Sequence, residues 1–160
     1  MDIFTNGQFL AILGAAIAVI LTGLGSARGV GLVGEAASGL IAEKPERFGQ
    51  ALLLQALPGT QGIYGLLTAF VMLNKIGIIG GATLEISSLT GLLFLGACLP
   101  IALVGYYSAI AQARAAASAI GIIDQKPEEV AKGMTFAAMV ETYAVLALLA
   151  SILIILGITI

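Results

Sequence analysis

Ionisable residues divide this 160-residue chain into four long apolar stretches, and that division constrains the fold more than any other feature. Residues 3–27, 48–74 and 86–113 carry no charge, and 133–160 carry only Glu141. Each stretch exceeds the ~20 apolar residues that cross about 30 Å of hydrocarbon as a helix. Open strands would leave backbone groups unpaired in lipid, and a small barrel would need alternating strands of ~10 residues. The chain is therefore predicted to be an all-α membrane protein with four transmembrane helices, near 8–43, 47–76, 87–124 and 128–158. Composition agrees: 59% of residues are hydrophobic and 10% charged, against ~45–50% and ~25% in soluble domains. The 21 glycines follow no triplet repeat, which excludes collagen, and the hydrophobicity excludes disorder.

Several function classes fall away at once. A net charge of −2 gives no basic footprint, so nucleic acid is not a partner. The chain has no histidine and one cysteine, which removes histidine and multi-cysteine metal sites. Cys98 has no intrachain disulfide partner and reads as an inert small apolar residue in a membrane helix. There is no GxxxxGK[ST] phosphate loop, so no nucleotide site and no enzyme activity of its own are expected. Residues 1–8 lack a basic region, and no cleaved signal peptide is expected.

Helices one and three run for roughly 36 residues, about 54 Å, so one end of each projects beyond the bilayer. Charges mark that end: Arg28, Glu35, Glu43 and Lys44 in the first, Arg114 and Asp124 in the third. The turns Glu43-Lys44-Pro45-Glu46-Arg47 and Asp124-Gln125-Lys126-Pro127-Glu128-Glu129 then reverse the chain. Proline stops each helix, because the residue before it avoids the helical region. The glutamates that follow suit the positive start of the next helix. Lys44, Arg47, Lys126 and Lys132 flank these turns, whereas the other side has only Lys75. The positive-inside rule then turns the Lys-Pro-Glu turns to the cytoplasm, with both termini and loop 77–85 on the outer side of the cell membrane.

A shift of 82 residues superimposes Gly14 on Gly96, Gly23 on Gly105, Ser26-Ala27 on Ser108-Ala109, Lys44-Pro45-Glu46 on Lys126-Pro127-Glu128, and Thr60 on Thr142. The chain is thus two tandem helical hairpins, 1–80 and 81–160, in parallel orientation. Helix one carries small residues at every odd position of Gly23-Leu24-Gly25-Ser26-Ala27-Arg28-Gly29-Val30-Gly31, and helix three has alanines at 109, 111, 113, 115, 117 and 119. Small residues on several faces let backbones approach on more than one side. Ordinary packing within one four-helix bundle is one reading; the crowded inner wall of a ring of identical hairpins fits the two-sidedness better.

Glu141 is the one acid well inside the fourth helix, and an ionisable residue at membrane depth is a functional candidate, with a structural hydrogen-bonding role as the alternative. It lies 14 residues after Pro127; Gln112 lies 15 before it, and Thr60 and Gln61 lie 15 and 16 after Pro45. At 1.5 Å per residue all four sit ~21–24 Å from the turns, at one level. Leu57, Thr60, Gln61 and Tyr64 share one face of helix two by i, i+3, i+4, i+7 spacing. Pro58 leaves the Leu54 carbonyl without its helical partner and relaxes the local carbonyl geometry. A carboxylate crosses lipid when neutralised by one proton or one monovalent cation. A hard cation wants several oxygens, and Gln61, Gln112 and Thr60 offer neutral ones, a set that balances Na+ and not Ca2+ or Mg2+. Interhelical hydrogen bonding is the plainer role for the two glutamines, and packing for Tyr64, which can also donate to Glu141. Gly59 stands where the repeat would place a second carboxylate. Arg28 and Arg114 read as snorkelling interface residues.

The duplicated hairpin, the 23–31 run, Leu57-Pro58-Gly59-Thr60-Gln61-Gly62-Ile63-Tyr64-Gly65 and Phe136-Ala137-Ala138-Met139-Val140-Glu141-Thr142-Tyr143-Ala144 closely resemble the proteolipid rotor subunits of rotary ATPases. Among these the chain is most similar to the K, or c-type, subunits of bacterial Na+-translocating V-type ATPases. The resemblance implies a homo-oligomeric membrane ring with helices one and three as its inner wall. It also implies Na+ held by Glu141, Gln61, Gln112, Thr60 and the Leu57 backbone carbonyl, with Tyr64 hydrogen-bonded to Glu141. Further implied partners are membrane lipid, a stator a-type subunit with an essential arginine and a central stalk driven by ATP hydrolysis elsewhere, its natural surface being the Lys-Pro-Glu turns. Three rival readings stay open: a proton-carrying ring, a self-contained four-helix secondary transporter, and a purely structural channel-like oligomer.

Overall fold

A computed structural model describes residues 6–81 and 84–160. Residues 1–5, with most of the N-terminal stretch judged for a signal peptide, and residues 82 and 83 of the inter-hairpin loop lie outside the described residues. The described residues are all helical apart from short connections. The long helix α1 (Gly7–Glu43) leads through a 3-10 turn (Pro45–Arg47) into α2 (Phe48–Ala56), a second 3-10 turn (Leu57–Gly59) and α3 (Thr60–Lys75). A second long helix, α4 (Ser88–Gln125), leads through the turn Pro127–Glu129 into α5 (Val130–Gly157). Four spans, Gly7–Glu43, Pro45–Lys75, Ser88–Gln125 and Pro127–Gly157, are long and apolar enough to cross a membrane.

Local chemistry sets the ends. The Asn6 side chain accepts from the backbone of Gln8 and Phe9 and caps α1, and Ser87 caps α4 through Thr90. Lys44 (φ −133°, ψ 74°) and Lys126 (φ −140°, ψ 78°) adopt nearly the same non-helical conformation before their prolines, as pre-proline sterics require. The second span differs from a single expected helix: it breaks at Leu57–Gly59, where Pro58 withholds a backbone donor. Pro100 sits inside α4 without ending it.

The two long helices form the central pair, α1 packing most extensively on α4, with α3 against α1 and α5 against α4. Glycine makes this possible: a Cβ on Gly25 would come within 2.7 Å of the Tyr106 carbonyl oxygen, and one on Gly14 within 2.7 Å of the Leu95 Cα. The same helix has a second small face. Gly23 and Gly31 have nothing within 4 Å of a Cβ position, and Ala27 is exposed. The small residues of α1 therefore do not all pack against the other helices of the chain.

Two apolar clusters form the interior. One gathers Ala18, Met72, Phe94 and Ile101; the other, toward the Lys-Pro-Glu turns, gathers Val33, Leu54, Ala116 and Ala137. Between them every long helix places polar side chains among small residues: Thr22 and Ser26, Gln61, Ser108 and Gln112, and Glu141. Ion pairs and caps join the hairpins at both ends. Lys44 binds the Asp124 carboxylate at 2.5 Å at the turn end, and Lys75 donates to the Ile155 and Leu156 carbonyls, each at 2.7 Å, where α5 finishes. Arg28, on α1, donates to the Tyr106 hydroxyl and lies over its ring.

Candidate ion site

The polar level converges on Glu141. Its Oε1 accepts from the Tyr64 hydroxyl at 2.5 Å, and its Oε2 accepts from Gln112 Nε2 at 3.0 Å. Gln112 Oε1 in turn accepts from Gln61 Nε2 at 2.6 Å. Gln61 Oε1 lies 3.4 Å from Thr60 Oγ1, and that hydroxyl donates to the Leu57 carbonyl at 3.1 Å. All six residues singled out in the sequence thus lie on one continuous run of hydrogen bonds and close polar contacts between the second span, α4 and α5.

Each position follows from the local fold. The hydroxyl of Thr60, at the start of α3 just after the break at Pro58, reaches back to the Leu57 carbonyl, a bond that helical threonines commonly make. The i, i+3, i+4, i+7 spacing then lines Thr60, Gln61 and Tyr64 along one side of α3. Gln61 and Gln112 are fully buried, their amides pairing with each other and with polar neighbours, so the desolvation cost of two buried amides is offset. Glu141 is only partly buried. It opens onto a groove on the outside of the bundle lined by Ala138, Thr142, Val145 and Leu146.

One carboxylate is met directly by the Tyr64 hydroxyl and the Gln112 amide, and the network continues from there through the Gln61 amide to the Thr60 hydroxyl and the Leu57 carbonyl. Among the described residues no group of three or more acidic, histidine or cysteine side chains gathers to hold a divalent or transition metal. Arg28 and Arg114 take no part in this network.

Two neighbours were not legible as site residues. Ser108 stands 3.3 Å from Gln61 Nε2, and Ser26 Oγ accepts from the Gly62 backbone N–H at 2.9 Å. Both occur within runs of small residues, where a hydroxyl looks like packing; their 82-residue spacing was the available signal.

Comparison with known proteins places this geometry in a family. The family described as the C subunit of ATP synthase matches twice, over residues 13–72 and 95–154. The V-type sodium ATPase subunit K of Enterococcus hirae is 51% identical over 152 residues, covering 95% of this chain and 94% of that protein. The A-type ATP synthase subunit K of Methanocaldococcus jannaschii is 36% identical over 149 residues, covering 93% of this chain and 63% of its own length. A human 16 kDa proteolipid of the V-type proton ATPase is 29% identical over 116 residues, covering 72% of this chain and 66% of its own. With one matched copy in each helical hairpin, this chain belongs to the ATP synthase C-subunit family.

Proposed function

We propose that the chain is a membrane rotor subunit of a V-type rotary ATPase, carrying Na+ bound at Glu141 while ATP hydrolysis in other subunits turns a ring of identical copies. The observation that carries this reading is the joining of one carboxylate to four neutral oxygen donors in a single network. The name of the Enterococcus hirae relative, a sodium ATPase subunit, supports it.

In this reading Glu141 neutralises one Na+, so the loaded site faces lipid without net charge. Leu57, Thr60, Gln61 and Gln112 replace the water that the ion sheds, and Tyr64 holds the carboxylate in place. Moving one Na+ against ~100 mV costs ~2.3 kcal/mol, so the ring must be driven from outside. A stator subunit with an essential arginine discharges the site, and a central stalk grips the Lys-Pro-Glu turns. Those turns face the cytoplasm and both termini face outward, with the chain divided at residues 80 and 81 into its two hairpins. The exposed small face of α1 supports a ring, since close packing by a second copy is what such a face suits.

The test is carbodiimide labelling of Glu141 in purified rings at constant pH. Na+ should protect the carboxylate in a concentration-dependent way. Labelling indifferent to Na+ would replace this reading with a proton-carrying ring. Coupled transport by the chain reconstituted alone would favour a secondary transporter instead.

A further inference from the structure

We propose that Ser108 is a positioning residue of the ion site, holding the Gln61 amide with its oxygen turned toward the ion. The proposal rests on the Na+-carrier reading and deepens it. Ser108 lies on α4 one turn before Gln112 and is buried. Its oxygen stands 3.3 Å from Gln61 Nε2, and its own proton goes to the carbonyl of Val140, the residue before Glu141, at 3.3 Å.

The polarity of the network shows why this contact matters. An ionised carboxylate only accepts, so Gln112 must present Nε2 to Glu141. Gln112 Oε1 is then the atom left to accept from Gln61, which obliges Gln61 to turn its Nε2 that way. Gln61 has two amide hydrogens; Gln112 takes one and Ser108 the other. Its oxygen is thereby left beside Thr60 Oγ1, whose hydroxyl donates to the Leu57 carbonyl. Ser26, the repeat equivalent of Ser108, fastens the adjoining Gly62 from α1. The two matched serines thus hold one segment, Gln61-Gly62, from both long helices.

Replacing Ser108 by alanine leaves one N–H of a fully buried amide unpaired, so the oxygen-inward orientation loses one of its two supports and keeps only the Gln112 contact. If the oxygen-inward orientation falls to about a tenth of the population, apparent Na+ affinity falls about tenfold. The experiment compares purified wild-type and Ser108→Ala rings by Na+ protection of Glu141 against carbodiimide. The half-protecting Na+ concentration should rise about tenfold. Labelling without Na+ should change far less than Na+ protection does, because the bonds of Ser108 go to the Gln61 amide and the Val140 carbonyl and not to the Glu141 carboxylate. Ser108→Thr should restore protection, and Ser108→Ala should add nothing in a Gln61→Ala ring. Ser118→Ala, further along the same helix, serves as the control without effect. Should Ser108→Ala fail to assemble, Ser108→Cys, nearly isosteric and a weaker hydrogen-bonding group, should give an intermediate rise. Wild-type Na+ protection in either variant ring, or an equal change in labelling without Na+, overturns the proposal alone. Absence of Na+ protection in the wild-type ring removes the Na+ reading and this proposal with it.

Discussion

At matched positions the two hairpins place different chemistry on a shared local scaffold. Leu57-Pro58-Gly59-Thr60 in the first corresponds to Met139-Val140-Glu141-Thr142 in the second. In both, the threonine hydroxyl donates to the carbonyl three residues back, at 3.1 Å to Leu57 and 2.7 Å to Met139. Yet the first segment opens into a 3-10 turn, whereas α5 runs through without a break. On the preceding helices, Val30 stands where the second hairpin has Gln112. Each hairpin therefore contributes what the other lacks. The first supplies relaxed backbone and neutral oxygens; the second supplies the charge and the amide that orients it.

The most direct way to break this division is Glu141→Gln. Carbodiimide labelling and Na+ binding by the ring should both be lost, and holoenzyme pumping with them; a variant that still pumps would return the structural-oligomer reading. Removing an amide should cost less. Gln61→Leu or Gln112→Leu should raise the half-protecting Na+ concentration by at least about 10–100-fold, the cost of losing a residue that only supports a metal ligand. Pro58→Ala asks whether the broken helix matters, since it restores a donor for the Leu54 carbonyl. Na+ affinity should fall by only about 3–10-fold, within what one neutral hydrogen bond is worth. Gly59→Glu sharpens the contrast from the other side. A Cβ there meets only a Val30 methyl, at 3.7 Å, so the side chain has room, while Val30 stands where the second hairpin has Gln112. Direct Na+ counting should still find one ion per chain. The smallest effect is expected at the link between hairpins. Lys75→Met removes a cation from the end of α5 and should cost about 0.3–1 kcal/mol in thermal unfolding, with Na+ protection unchanged.

Much of the molecule was written plainly in the chain. Charge-free stretches located all four spans, and Pro45 and Pro127 marked their turns to within a residue or two. Counting residues from those prolines put Thr60, Gln61, Gln112 and Glu141 at one level, because rise per residue in a helix is nearly invariant. Rotation about the helix axis is what counting leaves open. Which neighbour Ser108 or Ser26 meets depends on how α1 and α4 turn toward α3, and that is decided by glycines such as Gly25 admitting Tyr106 at close range. The Lys75 cap and the bond from the Ile101 N–H to Ser151 near Pro100 escaped for the same reason. Each joins residues on different helices whose facing is set by packing.

Glycine at position 59 also sets a gearing. Within the proposed ring, seats recur every four helices, so a given circumference carries half the ions that a carboxylate in every hairpin would allow. For a fixed energy per revolution, each ion can then be driven against twice the electrochemical difference. A single missing side chain per pair of hairpins trades throughput for steepness.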